Sequence, residues 1–420
     1  MSRIDELVER LCPDGVEYRA LGEVGTFTRG SGLQKKDFVD EGVPCIHYGQ
    51  IHTHYSLSTT ETISFVTPEF ANGKRFAHKG DLVIATTSED AEAVCKAVVW
   101  LGEEDVLVSN DALIFNHSLE PKYVGYFFQS DSFQTQKLPY VTGTKVMRVS
   151  AASLAKIRIP VPPMEVQEEV VRVLDSFAEL EAELEAELEA RKTQYAFYRD
   201  RLLDFGDADT HASSTPVSWV TLGEVLLDLR TGLNPRKNFR LNVEGATGFY
   251  VTVRELSTFD ICLTDKTDRV NKTALEKINE RSHIREGDIL FSATGTIGQT
   301  ALVGSDTANW NVKEGIYVLT VDTTKVNPRF LIHLIHSKFF TSQLEMAAAG
   351  GTVKSVSMKK LKALPIPLPP LAEQQRIVDI LDHFDALTTS LTDGIPAEIE
   401  ARRAQYAYYR DKLLAFPEKA

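Results

Sequence analysis

Tyr195-Ala-Phe-Tyr-Arg-Asp-Arg-Leu-Leu-Asp-Phe205 returns almost unchanged as Tyr406-Ala-Tyr-Tyr-Arg-Asp-Lys-Leu-Leu-Ala-Phe416. A repeat of this length marks an internal duplication, and the pairing continues upstream. Ile157-Arg-Ile-Pro-Val-Pro-Pro-Met-Glu-Val-Gln-Glu168 aligns with Leu364-Pro-Ile-Pro-Leu-Pro-Pro-Leu-Ala-Glu-Gln-Gln375. Gly143-Thr-Lys-Val-Met-Arg-Val-Ser150 aligns with Gly350-Gly-Thr-Val-Lys-Ser-Val-Ser357. Leu21-Gly-Glu-Val recurs at Leu222, and Gly80-Asp-Leu-Val-Ile recurs as Gly287-Asp-Ile-Leu-Phe. The offset is 207 at Pro162/Pro369 and 211 at Tyr195/Tyr406, so the second copy carries four extra residues, about one helical turn. Residues 25–79 and 226–286 share little. The scaffold is repeated while the surfaces it presents have diverged. A duplicated enzyme would more often keep its chemical residues in both copies.

Each copy ends in a helical pattern. Pro162-Pro163 and Pro369-Pro370 stop the preceding strand and suit a helix start. Beyond the first pair, apolar residues fall at Val166, Val170, Leu174, Phe177, Leu180, Leu184, Leu188, Tyr195, Tyr198 and Leu202. That three-and-four spacing is a coiled-coil-like seam, roughly 60 Å long if helical throughout. Ile377, Ile380, Phe384, Leu387, Leu391, Ile395, Ile399, Tyr406, Tyr409 and Leu413 form the second seam. Gly394-Ile-Pro396 interrupts it and predicts a kink or bulge.

The chain has 420 residues and a net charge of −13, which by itself argues against a nucleic-acid binder. The charge is unevenly placed. Residues 164–205 hold 12 acidic and 5 basic residues, and 371–420 hold 9 and 6. Residues 206–370 are mildly basic, with 17 acidic and 19 basic, whereas 1–163 hold 21 and 16. Most of the negative balance therefore lies on the helices. The start, Met-Ser-Arg-Ile-Asp-Glu-Leu, has no apolar signal core, and no apolar run is long enough to span a membrane. Cys12, Cys45, Cys95 and Cys262 are scattered and read as reduced thiols, so a cytoplasmic location is expected.

The duplicated motifs carry a resemblance. The proline step into Glu373-Gln-Gln-Arg-Ile-Val378, followed by the Gln-Tyr-x-x-Tyr-Arg-Asp-x-Leu-Leu helix end, resembles the conserved regions of type I restriction-modification specificity subunits. Both copies occur in that family's order, across the whole chain. Ala178-Glu-Leu-Glu-Ala-Glu-Leu-Glu-Ala-Glu-Leu-Glu-Ala-Arg191 resembles the tetrapeptide repeat of one subgroup (type IC-like), in which the number of units sets the spacing between two DNA half-sites. Four residues add about 6 Å to a helix, and a base-pair step is about 3.4 Å. The resemblance implies a subunit that reads a bipartite, asymmetric sequence in double-stranded DNA. It implies two adenine methyltransferase subunits docked near the repeats, with restriction subunits joining them. S-adenosylmethionine, ATP and Mg would belong to those partners, leaving no cofactor in this chain.

No familiar catalytic motif stands out in the sequence. The Pro-Pro pairs follow Val161 and Leu368 and precede Met164 and Leu371, which does not fit the Asn/Asp/Ser-Pro-Pro-aromatic loop of an amino-methyltransferase. Gly143-Thr-Lys and Ala293-Thr-Gly-Thr-Ile-Gly lack the spacing of a phosphate-binding loop. His47, His52 and His54 lie near Cys45 but form no compact ligand set, so no metal is expected. The chain reads as a non-enzyme. Its rivals are a coiled-coil adaptor without a DNA role, or a nuclease or methyltransferase whose site escapes these motifs.

Candidate DNA contacts are basic and hydrogen-bonding residues clustered beside glycine-flanked loops, such as Arg29-Gly-Ser-Gly and Arg230-Thr-Gly. In the first copy they are Arg29, Lys35, Lys36, His47, Tyr48, Gln50, His52, Lys74, Arg75, Thr144 and Lys145. In the second they are Arg230, Arg236, Lys237, Arg240, Arg254, Lys313, Thr352 and Lys354. Candidate partner contacts are Gln167, Glu168, Tyr195, Tyr198, Arg199, Gln374, Gln375, Tyr406, Tyr409 and Arg410; the tyrosines would serve equally well by packing in the helix pair.

The expected fold is α/β (α+β): two globular target-recognition domains, 1–163 and 206–370, separated by two long antiparallel coiled-coil-like helices at 164–205 and 371–420, with a pseudo-two-fold internal repeat. Short strands are expected at 82–86, 112–116, 289–293 and 316–321. The stretch before Leu21 is expected to pack near the C-terminus.

Overall fold

A computed structural model describes residues 3–205, 217–235, 238–350, 353–389 and 394–419. It combines helices and sheets, and divides into two compact units. The first takes Met1–Glu185 together with Glu398–Ala420; the second is Ala186–Ala397. The division falls inside the tetrapeptide run, so each unit includes part of the helical segments.

Among the described residues, the two units share one sheet plan. In the first, strands Gly25–Arg29, Ala112–His117, Leu82–Ala85 and Ala97–Trp100 lie side by side, all antiparallel, with Ser58–Thr59 added in parallel. In the second, Leu226–Thr231, Ile316–Val321, Ile289–Ser292 and Thr300–Leu302 follow the same order. Strands Leu82–Ala85 and Ile289–Ser292 are buried at every residue, which is why they read as unbroken apolar runs. The glycine before each explains part of the repeat. Gly80 and Gly287 sit at φ +94° and +82°, a left-handed turn open to glycine. Asp81 and Asp288 close that turn by accepting the amides of His78 and Arg285.

The central helix is continuous from Met164 to Leu202. Val166, Val170 and Leu174 are fully buried at its start, while Leu180, Leu184 and Leu188 are half-buried. The seam is thus a core element at its start and half-buried along its middle, and towards its other end Tyr195 and Leu202 pack against the core of the second unit. In the first unit its partner runs antiparallel: Phe177 stacks on Tyr409, and Arg403 reaches back to Glu181 (2.7 Å) and Glu185 (2.6 Å). The distal segment is two helices, Leu371–Thr389 and Ile395–Leu413, instead of one. Pro396 sits in the opening turn of the second, where its missing N–H costs nothing. Residues 390–393, between them, lie outside the described residues.

The stretch before Leu21 meets the C-terminal segment inside the first unit. Val16 N donates to Pro417 O (2.8 Å), Lys419 N donates to Val16 O (3.0 Å), and Tyr18 Oη donates to Phe416 O (3.0 Å).

Candidate nucleic-acid interface

In the first unit several expected contacts converge. The loop after strand Gly25–Arg29 and the turn at Ser109–Asp111 lie together: Ser31 N donates to Val108 O, and Tyr48 N donates to Ser109 Oγ (2.9 Å). Arg29 Nε donates to Asn110 O (2.8 Å). Arg75 Nη1 donates to Arg29 O (2.7 Å), and Lys74 Nζ donates to Gly32 O (3.3 Å). Arg29, Tyr48, Lys74 and Arg75 therefore share one surface, with exposed Lys35 and Lys36 beside it. His47 joins them half-buried; burial, then the charge of Lys35, lowers its pKa. Thr144 and Lys145 are exposed on the glycine loop.

Two neighbours turn inward. Gln50 accepts from His47 N (2.8 Å) and donates to Ser64 Oγ (2.6 Å), which closes the turn of helix Tyr48–Thr53. The ring of His52 meets Thr87 O at 3.0 Å. The nearby histidines are thus engaged separately, and Cys45 is buried with its thiol pushed up to about 12 by that burial.

In the second unit Arg254 and Lys313 line one cleft with Asp268, Thr294 and Glu314. Arg254 is tied to Asp268 at 3.0 Å. Arg240 and Lys354 are exposed. Arg236, Lys237 and Thr352 lie outside the described residues. Arg230 requires a correction: it is buried, paired with Asp288 (2.8 Å) and Asp228 (2.6 Å), so its charge is committed internally. The cause is a register shift between Leu226 and Asp228. Arg29 pairs with Leu113, the second residue of its strand; the second residue of the matching strand, Tyr317, pairs with Thr231. Arg230 therefore occupies the position of Thr28. The two glycine loops keep the register of the sequence alignment: Thr142 bridges Arg148 as Ala349 bridges Ser355, so Lys354 corresponds to Met147.

The expected partner contacts are mostly internal. Gln167 is buried; it donates to Pro162 O (2.7 Å) and accepts from Glu120 N (2.9 Å). Gln374 repeats this with Pro369 O (2.8 Å) and Asn327 N (2.8 Å). These amides staple the helix start to a neighbouring turn and leave no surface for a partner. The Tyr-x-x-Tyr-Arg-Asp motif is likewise accounted for inside each unit. Tyr195 Oη bonds His333 Nδ1 (3.1 Å), and Tyr406 Oη bonds Gln129 Oε1 (3.0 Å). Tyr198 stacks on Phe384 and Tyr409 on Phe177, both pairs at 5.4 Å. Arg199 lies beside the Tyr195 ring and Arg410 beside that of Tyr406. Asp200 accepts from Lys338 N, and Asp411 from Asp131 N, both at 2.9 Å. Glu168 and Gln375 remain exposed. Sequence reading missed Phe197 and Tyr408: they occupy matching positions, each with an edge-to-face contact to the following tyrosine (Tyr198 and Tyr409), and are 57% and 61% exposed, which leaves most of two aromatic rings in water.

Comparison with known proteins agrees with this duplicated plan. The family described as the type I restriction modification DNA specificity domain matches residues 13–190 and again 216–401. The Escherichia coli type I restriction enzyme EcoR124I/EcoR124II specificity subunit is 34% identical over 282 residues, 64% of this chain and 65% of that one. A Haemophilus influenzae chain provisionally named a type I restriction enzyme specificity subunit is 29% identical over 353 residues, 81% of this chain and 84% of its own. Among solved structures, a chain from a study of type I restriction-modification complex assembly superposes with a TM-score of 0.65 at 18% identity, covering 95% of this chain and 97% of that one. The HsdS subunit of Thermoanaerobacter tengcongensis gives 0.50 at 19%, covering 97% and 99%. At such identities the structures speak for the fold, and the repeated profile match speaks for lineage. With its paired domains, its stapled helix starts and its twofold match, the chain belongs to the type I restriction-modification DNA specificity family.

Proposed function

We propose that each unit reads one half of a bipartite, asymmetric DNA target and that the chain docks two adenine methyltransferase subunits, through which restriction subunits join. One observation carries this reading: the helical junctions are built twice from matching residues, while the basic surfaces beside them differ in every named contact. A duplicated scaffold with diverged faces suits two unlike half-sites and two identical partners. The chemistry then lies with the partners, which would supply S-adenosylmethionine, ATP and Mg; this chain contributes recognition and no catalysis. Exposed Lys35, Lys36, Arg75 and Lys145, with half-buried Lys74, serve the phosphates of the first half-site; Arg240 and Lys354 serve those of the second. Phe197 and Tyr408, repeated and exposed, are the anchors best placed for a partner present in two copies, with Glu168 and Gln375 as polar neighbours.

The tetrapeptide run suits a ruler, as in the type IC-like subgroup. It is helical through Glu179–Arg191, and the boundary between the two compact units falls within it. Deleting Leu184-Glu-Ala-Glu187 is expected to change the gap between half-sites and leave the half-sites themselves intact.

The test is co-expression with the neighbouring methyltransferase, followed by genome-wide mapping of methylated adenines. A split motif with a fixed gap is the expected result. A stable complex that methylates nothing, or a continuous motif, would overturn it.

A further inference from the structure

Beside the converging basic residues of the first unit lies a cleft of about 440 Å³. Its floor is apolar, formed by Phe27 and Leu113. Its polar lining is Arg29, Asp111, Thr86, Thr87, Thr142 and Arg148. The backbone of Arg148 is held from two directions. It pairs with Thr87 on one edge, and on the other it exchanges hydrogen bonds with Thr142 at 2.8 and 2.9 Å. The Arg148 side chain is exposed, and it has no hydrogen-bond or ion-pair partner among the described residues. A rigid base under an uncommitted guanidinium is the arrangement that bidentate recognition needs. Arg29, in the same lining, is already tethered to Asn110 O, with Asp111 4.0 Å away.

Asp111 decides what this cleft can hold. A phosphate would be repelled by its carboxylate, whereas a base edge offers both an acceptor pair for an arginine and an amine for a carboxylate. In the major groove, guanine presents O6 and N7 and its paired cytosine presents the N4 amine. The second unit keeps the cleft and changes its chemistry. Thr294 bridges Ser355 where Thr87 pairs with Arg148, and Thr231 stands where Arg29 does. Its charges come instead from Arg254, Lys313, Asp268 and Glu314.

We infer that Arg148 reads a guanine in the half-site presented to the first unit, donating to O6 and N7, while Asp111 accepts from the amine of the paired cytosine. This rests on the function proposed above and adds one specific residue to it.

The test uses the full chain in complex with its methyltransferase. Methylated adenines are mapped for the unaltered chain, for Arg148→Ala and for Arg148→Lys. With alanine, one G·C position in one half-site is expected to lose about 10- to 100-fold of its preference, while the other half-site and the gap stay as they were. Lysine keeps the charge but not the planar fork, and is expected to restore only part of that preference. A uniform fall in methylation with every base still demanded would mean a phosphate contact and overturn the inference, as would an unchanged motif. Should alanine prevent the complex from forming, the lysine variant carries the same readout. Failure of the proposed function is distinguishable, because then the unaltered chain itself yields no split motif.

Discussion

The first unit closes its helical junction with Tyr126, Asp175 and Lys122; the second closes the matching junction with His333, Asp382 and Arg329. In the first, Tyr126 Oη donates to Asp175 Oδ1 (2.6 Å) and Lys122 Nζ reaches Oδ2 (2.8 Å). In the second, His333 Nε2 meets Asp382 Oδ1 (2.7 Å) and Arg329 Nε reaches Oδ2 (2.6 Å). Both donors have changed, yet the acceptor and its two bonds are retained. A half-buried carboxylate that loses its donors is costly, whereas any donor of suitable reach will satisfy it. The two clefts show the opposite behaviour, with the charged groups rearranged and only the backbone kept. What the duplication preserves is therefore the satisfaction of buried polar atoms. At this carboxylate it does not preserve the identity of the donors.

Removing the acceptor should hurt the second unit more. Asp382→Ala takes the acceptor from Nε2 of a fully buried His333 and from the Arg329 guanidinium, itself about a third exposed, and is expected to cost about 3 kcal/mol. Asp175→Ala strands a tyrosine and a lysine that is partly exposed, and is expected to cost about 2 kcal/mol. Calorimetry on both variants would break the comparison if the order were reversed.

Acid should act on both units through a different pair of residues. His117 in the first and His336 in the second are each pushed down to about 4, chiefly by burial. The unfolded chain then takes up these protons first, so the contribution to stability is whole above about pH 6.5 and lost as pH falls towards 4. Each is expected to lose about 2 kcal/mol across that window. Neither ring nitrogen of His117 has a partner among the described residues, whereas His336 Nε2 bonds Thr300 Oγ1 (2.8 Å). His117→Phe should flatten the acid limb of the stability curve at little cost at neutral pH; His336→Phe should flatten it too, but lose stability at neutral pH. Equal costs at pH 7 would remove this distinction.

A smaller difference is expected at the staples. Gln374 donates additionally to Lys325 O (3.0 Å), so Gln374→Ala should exceed Gln167→Ala by about 1 kcal/mol in chemical denaturation. Smallest of all, Phe197→Ala and Tyr408→Ala should each change stability by no more than about 0.5 kcal/mol. Together they should nonetheless weaken co-purification with the methyltransferase. An unaffected complex would remove them as anchors.

The long helices and the four expected strands were legible because their signals are local. A three-and-four stripe announces the helix from Met164 to Leu202, and compact apolar runs announce Leu82–Ala85 and Ile289–Ser292. The membership of each unit was not legible, since joining Glu398–Ala420 to Met1–Glu185 depends on contacts far apart in sequence. Arg230 misled for a different reason: one extra residue in a strand exchanges its inward and outward faces, and nothing in the neighbouring sequence reveals the shift. Gln167 and Gln374 look like ordinary polar residues at exposed helix starts; only the turns they bind show that they are buried. In the first copy the glycine-flanked loop does lie where Arg29, Lys74 and Arg75 gather, a proximity that the spacing of glycines and basic residues already suggested. Arg148 went unnoticed because its merit is what it lacks, a partner.

The discontinuity of the first unit bears on the order in which the molecule can be made. Residues 186–397 form a continuous stretch and have all their parts once that stretch has left the ribosome. The earlier unit, although synthesised first, still lacks Tyr406, Tyr409, Arg410 and the Pro417–Lys419 pairing with Val16. During elongation its exposed apolar face must wait, so the later half of the chain is positioned to mature before the earlier half. Translation pauses or truncations near residue 398 would therefore fall hardest on the earlier unit, far from the point of interruption.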